Sequence, residues 1–171
     1  MSDASACSIR EATVADIPLL FEARHNMFDE LGDAVRLEDL GMLDRATTAY
    51  IIENASAGPI GFVAEDEDDQ LVGAVSIAFE LTQPSLHNIS GRQAYLSGMW
   101  VRPESRRQGV ARSLVATAVE AARAAGAGTV TLLASDEGRL VYEGLGFVAV
   151  PAMRLSFNPL FDPHAKTGES P

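Results

Sequence analysis

One segment near the middle of the chain constrains the fold most, because it joins a strand, a basic turn and a helix without a gap. Residues 94–101 form an apolar run that predicts a strand, and residues 109–125 repeat apolar side chains four apart, which predicts a helix. The intervening turn contains Arg106, Arg107 and Gly109. A helix N-terminus presents unpaired N–H groups and a partial positive charge. The segment therefore predicts a cradle for a pyrophosphate.

A plainer interpretation of this segment is a well-capped helix with arginine side chains lying along its surface. Two other phosphate-binding motifs fit less well. A P-loop ends in Gly-Lys-Ser/Thr, and the single lysine of the chain is Lys166. The dinucleotide fingerprint needs glycines directly after a strand, whereas the glycine pairs at 126–128 and 144–146 follow predicted helices. Both pairs are typical of helix ends.

The distribution of charge limits the partners of the chain. Its 171 residues include 13 Lys and Arg against 24 Asp and Glu, a net charge of −11. A chain this acidic is a poor partner for nucleic acid or for an anionic membrane surface. Residues 92–112 nevertheless contain five arginines and one glutamate, a local charge of +4, so the rest of the chain sums to −15. The segment around the predicted cradle is therefore positively charged, and it remains suited to binding a small anion.

The rest of the pattern predicts one domain with a single core, since 47% of the residues are hydrophobic. Strands are expected at residues 9–11, 60–65, 71–81, 94–101, 129–134, 147–150 and 153–157. Helices are expected at residues 13–28, 36–54, 109–125 and 137–145. This order predicts an α/β (α+β) fold, a mixed and mostly antiparallel sheet of six or seven strands with helices on both faces. We expect residues 1–8 to be a short flexible leader, 9–157 the domain, and 158–171 a disordered tail.

Cysteine and histidine are too few to predict a disulfide or a metal site. Cys7 is the single cysteine, and with three histidines it makes no recognisable ligand cluster. No apolar run approaches the roughly 20 residues of a membrane-spanning helix, and residues 1–8 lack the pattern of a signal peptide. We therefore expect a cytoplasmic protein without a metal.

Residues 106–111 read Arg-Arg-Gln-Gly-Val-Ala, and residues 142–147 read Tyr-Glu-Gly-Leu-Gly-Phe. The first run resembles the Arg/Gln-x-x-Gly-x-Gly/Ala cofactor loop of the GNAT superfamily of N-acetyltransferases, and the second resembles its Tyr-Glu-x-Leu-Gly-Phe signature. Residues 9–16 are similar to the usual opening of the family, and residues 134–139 resemble a subgroup of bacterial members. The resemblance extends from residue 9 to residue 157.

The resemblance implies an acetyl-CoA-dependent N-acetyltransferase acting on a primary amine of a small molecule or on a peptide N-terminus, by direct attack in a ternary complex. In the family, acetyl-CoA lies in a V-shaped gap between two parallel strands, here 94–101 and 129–134. The strand backbone at residues 99–101 would pair with the pantetheine arm. The backbone amides of residues 107–112 would hold the pyrophosphate. The cofactor-binding residues implied in this way are Met99, Trp100, Val101, Arg106, Arg107, Gln108, Gly109, Val110, Ala111 and Arg112.

Tyr142 matches the family's general acid, the tyrosine that protonates the departing thiolate. A thiol has an ordinary pKa of about 8.5 and a tyrosine one of about 10, so this proton transfer needs only modest tuning. The oxyanion that forms first needs a preorganised donor, and a backbone N–H freed near Gly98 would supply it. The structural alternative for Tyr142 is a half-buried ring that packs on the core.

The general base is not evident, because the strand at 95–101 lacks the Glu or His that many family members carry there. Glu80, near the end of the preceding strand, is one candidate, and a water relayed by Ser97 or by a backbone carbonyl is another. His87 lies in a loop and has no firm role. Seven acids between residues 22 and 44 face two arginines, which favours a cationic amine as acceptor, although solvated helix faces explain them equally well.

Two other functions fit parts of the sequence. A non-catalytic acyl-CoA-binding regulatory module of the same fold would explain the missing strand base. An acidic interaction protein with an accidental cradle would not bind CoA. The sequence leaves open the identity of the amine, the use of longer acyl groups and the oligomeric state, although homodimers are common in the family.

Overall fold

The computed structural model describes residues 7–32 and 37–157. Its strands are β1 (Ser8–Glu11), β2 (Gly61–Glu65), β3 (Leu71–Leu81), β4 (Arg92–Val101) and β5 (Thr129–Leu132). Its α-helices are α1 (Ile17–Leu31), α2 (Leu37–Asn54), α3 (Val110–Ala124) and α4 (Arg139–Glu143). The expected α/β order is confirmed, and each strand or helix lies within a few residues of its predicted position.

The strands form one mixed sheet in the order β1-β2-β3-β4-β5. β1 to β4 pair antiparallel with one another. A tight turn joins β2 to β3 and a loop joins β3 to β4, whereas α1 and α2 lie between β1 and β2. In the turn between β2 and β3, Asp66 Oδ1 accepts hydrogen bonds from the backbone N–H groups of Asp68 (3.1 Å) and Gln70 (2.9 Å). β5 is parallel to β4 because α3 carries the chain back across the sheet between them.

The sheet is covered on both faces, as expected. On one face, the α3 stripe of Val110, Leu114, Ala118 and Ala122 is buried, and it packs against side chains of β2, β3 and β4. On the other face, Leu20 and Ala23 of α1 pack against Val63, Ala74 and Trp100. β4 therefore lies between two helices that begin or end beside the predicted cradle.

The expected count of six or seven strands is wrong, since the described residues form five. The two closing strands, at residues 147–150 and 153–157, do not form, and the exposed fractions of Val148, Val150, Met153 and Leu155 lie between 70% and 102%. Local composition predicted these strands, but a strand also needs a partner backbone, and Pro151 lacks an N–H to donate. Ser8, expected in the leader, belongs to β1. The tail at 158–171 lies outside the described residues.

β4 contains a β-bulge at Gly98, the glycine within the apolar run of residues 94–101, where a glycine inside a predicted strand indicates a bulge or a close backbone approach. Ala74 of β3 lies opposite Trp100, and Ser76 lies opposite Ser97, so two steps along β3 correspond to three along β4. Gly98 takes up the extra residue with a φ of +60°. The bulge interrupts the ladder of hydrogen bonds at the middle of β4.

Neither a membrane-spanning helix nor a metal-ligand cluster is found in the part of the chain that the structure describes. No helix there is long and apolar enough to cross a bilayer. In the same ranges, His, Cys, Asp and Glu side chains do not come together in groups of three or more that would hold a metal ion.

Candidate active site

The two parallel strands separate halfway along β4 and leave a gap. They pair from Gln93 with Thr129 to Leu96 with Leu132, and β4 then continues for five residues to Val101. Arg102 N donates to Val72 O (2.7 Å), so by alternation the backbone groups of Val101 and Met99 point away from β3 and into the gap. Those of Trp100 point towards β3. The gap therefore offers the backbone edge that a pantetheine chain needs.

The loop before α3 is shaped as an open anion cradle. Gly109 has a φ of +87° and Arg107 a φ of +59°, so the chain turns sharply before the helix. The first intrahelical hydrogen bond runs from Ser113 N to Gly109 O (2.9 Å), which leaves the N–H groups of Val110, Ala111 and Arg112 free. A Cβ added at Gly109 would meet no atom within 4 Å. The space in front of these donors is thus large enough for a pyrophosphate oxygen to approach them.

The side chains of the cradle differ in their hydrogen-bond partners. Arg106 Nε donates to Val101 O (2.8 Å), and its Nη2 donates to Glu30. Arg112 Nη1 donates to the backbone O of Gly144 at 3.0 Å. Gln108 Nε2 donates to the backbone O of Glu104 at 2.9 Å. The Arg107 side chain is exposed and meets no hydrogen-bond partner among the described residues, so it is the cradle arginine left free for a ligand.

Glu30, at the end of α1, was not singled out from the sequence. Its Oε1 accepts a hydrogen bond from Trp100 Nε1 (3.0 Å), and its Oε2 accepts one from Arg106 Nη2 (2.5 Å). Desolvation raises the pKa of Glu30, but the hydrogen bonds from Trp100 and Arg106 outweigh it and lower the pKa overall. These partners lie about 70 residues away in sequence, so no local pattern predicted the contact.

Tyr142 lies on α4, on the same side of the sheet as α3. Its ring meets Phe147 edge to face, with 5.8 Å between ring centroids. Tyr142 packs against the core that α3 covers, and Arg112 in the first turn of α3 donates to Gly144 O at the end of α4, which brings the predicted acid beside the cradle. Burial raises the pKa of Tyr142, so the phenol is protonated at neutral pH.

The candidate bases occupy different places. Glu80 lies opposite Gln93, whose Nε2 donates to its Oε2 (2.8 Å), and it is exposed. It is four residues beyond Ser76, the partner of Ser97, which corresponds to about 13 Å along the strand. Ser97 is exposed and adjoins the bulge, whereas His87 is exposed in the β3–β4 loop. The structure thus places Ser97, but not Glu80, beside the gap.

A polar cluster beside the bulge was also missed. Arg24 donates from Nη1 to Thr47 Oγ1 (3.0 Å) and from Nη2 to Asp44 Oδ1 (2.5 Å). His25 Nε2 lies 3.0 Å from Asp44 Oδ2. The Arg24 Cβ lies 3.7 Å from the place where a Cβ of Gly98 would be. Asp44 and Glu30 are therefore engaged within the protein, although the sequence counted both among the acids available to a cationic acceptor.

Comparison with known proteins agrees with this geometry. Residues 25–147 match the sequence model of the acetyltransferase (GNAT) family. The crystal structure of a predicted acetyltransferase from Clostridium acetobutylicum with acetyl-CoA is similar, with 27% identity and a TM-score of 0.77, covering 91% of this chain and 97% of that one. No curated protein matches the sequence.

Two more distant structures share the fold. A GCN5-related N-acetyltransferase from Ralstonia eutropha has a TM-score of 0.76 at 17% identity, covering 89% of this chain and 99% of that one. Glucosamine-6-phosphate N-acetyltransferase from Arabidopsis thaliana has a TM-score of 0.65 at 18% identity, covering 90% and 99%. The family match spans well over half of the chain, and the parted strands and the cradle lie within it. The chain belongs to the acetyltransferase (GNAT) family.

Proposed function

We propose that this protein is an acetyl-CoA-dependent N-acetyltransferase that transfers an acetyl group to a primary amine within a ternary complex. The observation that carries this proposal is the gap beside β4, which leads into an open helix N-terminus, and the Arg112 contact that holds the helix of Tyr142 beside that N-terminus. The similar protein from Clostridium acetobutylicum, crystallised with acetyl-CoA, supports the same donor here.

Acetyl-CoA binds in this proposal through backbone groups first. Met99 and the N–H of Val101 direct polar groups into the gap, where they pair with the pantetheine arm, while the Val101 carbonyl accepts from Arg106. The buried side chain of Trp100 fixes the strand between them. The free N–H groups at the start of α3 hold the pyrophosphate. Arg107 adds a formal charge at the mouth of the cradle, and Gly109 lets the phosphates approach closely.

The transfer forms one bond and breaks another. The neutral amine nitrogen attacks the thioester carbonyl carbon, the C–N bond forms, and the C–S bond breaks. Negative charge develops on the carbonyl oxygen, and the bulge at Gly98 turns a backbone N–H out of the ladder to stabilise it. Tyr142 gives its phenolic proton to the thiolate. Because burial raises the pKa of Tyr142, the phenol remains available as donor throughout the neutral range.

The proton lost by the amine needs an acceptor. Of the two candidates, Glu80 lies about 13 Å from the bulge along β3, and Ser97 adjoins the bulge. We therefore favour a water held by Ser97 or by a backbone carbonyl, and Glu80 stays a weaker prediction. Because the strand itself carries no base, a non-catalytic acyl-CoA-binding regulatory module is the second candidate function.

The acceptor in this proposal is a small-molecule amine or a peptide N-terminus. Exposed acids of α1 and α2, such as Glu22, attract a cationic amine, although Glu30 and Asp44 are already paired with arginines. Nucleic acid and membranes are not proposed as partners, and we expect the enzyme to act in the cytoplasm.

The test is a screen of amines with acetyl-CoA, read as the release of free thiol. An N-acetyltransferase releases thiol in proportion to acetylated amine with at least one acceptor class. CoA binding by calorimetry without turnover on any amine would instead favour the regulatory module. Absence of CoA binding would refute both and leave the accidental cradle.

A further inference from the structure

Arg106, the first residue of the cofactor loop, is held by two elements that precede the loop. Its Nε donates to Val101 O (2.8 Å) at the end of β4, and its Nη2 donates to Glu30 at the end of α1. Glu30 in turn accepts from Trp100 Nε1 (3.0 Å), the neighbour of Val101. One carboxylate therefore joins the last turn of α1, the end of β4 and the start of the cradle.

These contacts engage the Nε and Nη2 groups of Arg106, two of its three guanidinium nitrogens. The guanidinium is turned towards the strand, and its charge is balanced by Glu30. Arg107, the next residue, is exposed and has no hydrogen-bond partner in the described ranges. The two adjacent arginines of the loop thus have different surroundings, one bound within the protein and one open to a ligand.

We propose that Glu30 is a positioning residue of the cradle. It holds Arg106 against the Val101 carbonyl, so that the loop presents its backbone N–H groups to the pyrophosphate, and Arg106 acts through this link and not as a phosphate ligand. This inference rests on the proposed binding of acetyl-CoA. The backbone donors of a cradle act only if the loop keeps its conformation, and the Glu30–Arg106 pair lies at the loop's first residue.

The opposite role for Glu30 predicts the opposite change in CoA affinity when its charge is removed. If Arg106 left Glu30 to bind phosphate, Glu30 would compete with the pyrophosphate for the guanidinium. Removing the charge of Glu30 would then strengthen CoA binding. If Glu30 positions the loop, removing its charge weakens CoA binding. The direction of the change in affinity therefore separates the two roles.

The experiment measures the Kd of CoA by calorimetry for the full chain and for Glu30→Gln, Arg106→Gln and the double variant. We expect each single variant to weaken binding about fivefold, the net scale of one ordinary hydrogen bond, and the double variant to be no weaker than either. At saturating acetyl-CoA, kcat stays within about twofold while KM for acetyl-CoA rises.

Asp29→Asn is the matched control, because it removes the same charge one residue away, and no side-chain hydrogen bond of Asp29 is found within the described ranges. Its Kd should equal that of the unaltered protein, and thermal unfolding checks that all variants fold. Tighter or unchanged CoA binding by Glu30→Gln, or additive losses in the double variant, would overturn the proposal alone. If the unaltered chain failed to bind CoA, the proposed function would fail with it.

Discussion

Tyr142 lies on a helix of only five residues, so contacts outside that helix must set its position. The Phe147 ring meets it edge to face, and Arg112 Nη1 donates to Gly144 O (3.0 Å) at the helix end. The backbone of Arg112 lies in the cradle, in the first turn of α3. A single arginine therefore connects the proposed pyrophosphate site with the segment that carries the proposed acid.

Replacing Tyr142 with phenylalanine should remove the proton donor and leave the ring in place. We expect kcat to fall by about 100-fold, the lower range for loss of a general acid, while the Kd of CoA changes little. Burial raises the pKa of Tyr142. In the unaltered enzyme, the fall in kcat caused by deprotonation of Tyr142 should therefore occur above the ordinary tyrosine pKa of about 10.

Tyr50→Phe is the control for this prediction. The Tyr50 hydroxyl donates to Phe79 O (3.3 Å), next to Glu80 and away from the cradle, so its loss should not reduce turnover. Turnover by Tyr142→Phe that equals that of the unaltered enzyme from pH 6 to above pH 9 would show that Tyr142 only packs on the core.

Gly109 and Gly126 flank the two ends of α3 and form a matched pair. Their φ angles are +87° and +84°, and a Cβ at either would meet no atom within 4 Å. Alanine at either position should therefore cost roughly 1 to 2 kcal/mol of unfolding free energy, through backbone conformation alone. Only Gly109→Ala should also weaken CoA binding, because only Gly109 lies in the cradle. Equal CoA affinity in both variants, measured by calorimetry, would contradict the location of the pyrophosphate.

At the scale of elements, one ion pair joins β1 to the start of α1. Arg10 donates to both carboxylate oxygens of Asp16 (2.9 Å each), and Thr13 donates to Asp16 from its N–H (2.8 Å) and its hydroxyl (2.9 Å). The hydrogen bonds from Arg10, which together with those from Thr13 outweigh desolvation, hold the pKa of Asp16 well below its ordinary value. The folded state therefore prefers the ionised carboxylate.

Asp16→Asn should lower the free energy of unfolding by about 2 kcal/mol at pH 7, because it removes charge-assisted hydrogen bonds from a buried acceptor. The pKa of Asp16 is lower in the folded state than in the unfolded state, where it is about 3.9. The carboxylate therefore contributes its full stabilisation above that pH, and the contribution is lost as the pH falls towards the folded pKa. The difference between variant and unaltered protein should therefore shrink below about pH 4 in denaturant titrations. The exposed Glu11→Gln serves as control, and a difference that stays constant down to pH 2 would contradict the linkage.

The elements that local pattern determines were predictable, and those that depend on distant partners were not. Four-residue spacing located α3, and a glycine inside an apolar run located the bulge at Gly98. The apolar residues at 147–157 predicted two strands wrongly, because strand pairing depends on another backbone. The same limit applies to the site: the motif located the cradle, but Glu30 meets Arg106 only after α1 packs on β4.

At the scale of the whole molecule, the uneven distribution of charge separates the proposed cofactor site from the rest of the surface. The net charge is −11, yet residues 92–112 carry +4. Within that segment, Arg102 pairs with Asp66 and Arg106 with Glu30, so the positive charge available to a ligand is smaller than the formal count. Because Arg107 has no such partner among the described residues, the attraction of the cradle for a polyanion should depend strongly on that side chain.

Arg107→Gln should therefore weaken CoA binding in a salt-dependent way. At about 20 mM salt we expect a loss of about fivefold, and at about 0.5 M salt the difference should nearly vanish, because screening shortens the reach of an exposed charge to a few ångström. Arg123→Gln is the matched control, since Arg123 is also exposed, lies at the other end of α3, and has its side chain 3.5 Å from Glu120. Calorimetry at four salt concentrations gives both slopes. A loss in Arg107→Gln that is the same at every concentration would mean that Arg107 shapes the loop and does not attract CoA through its charge.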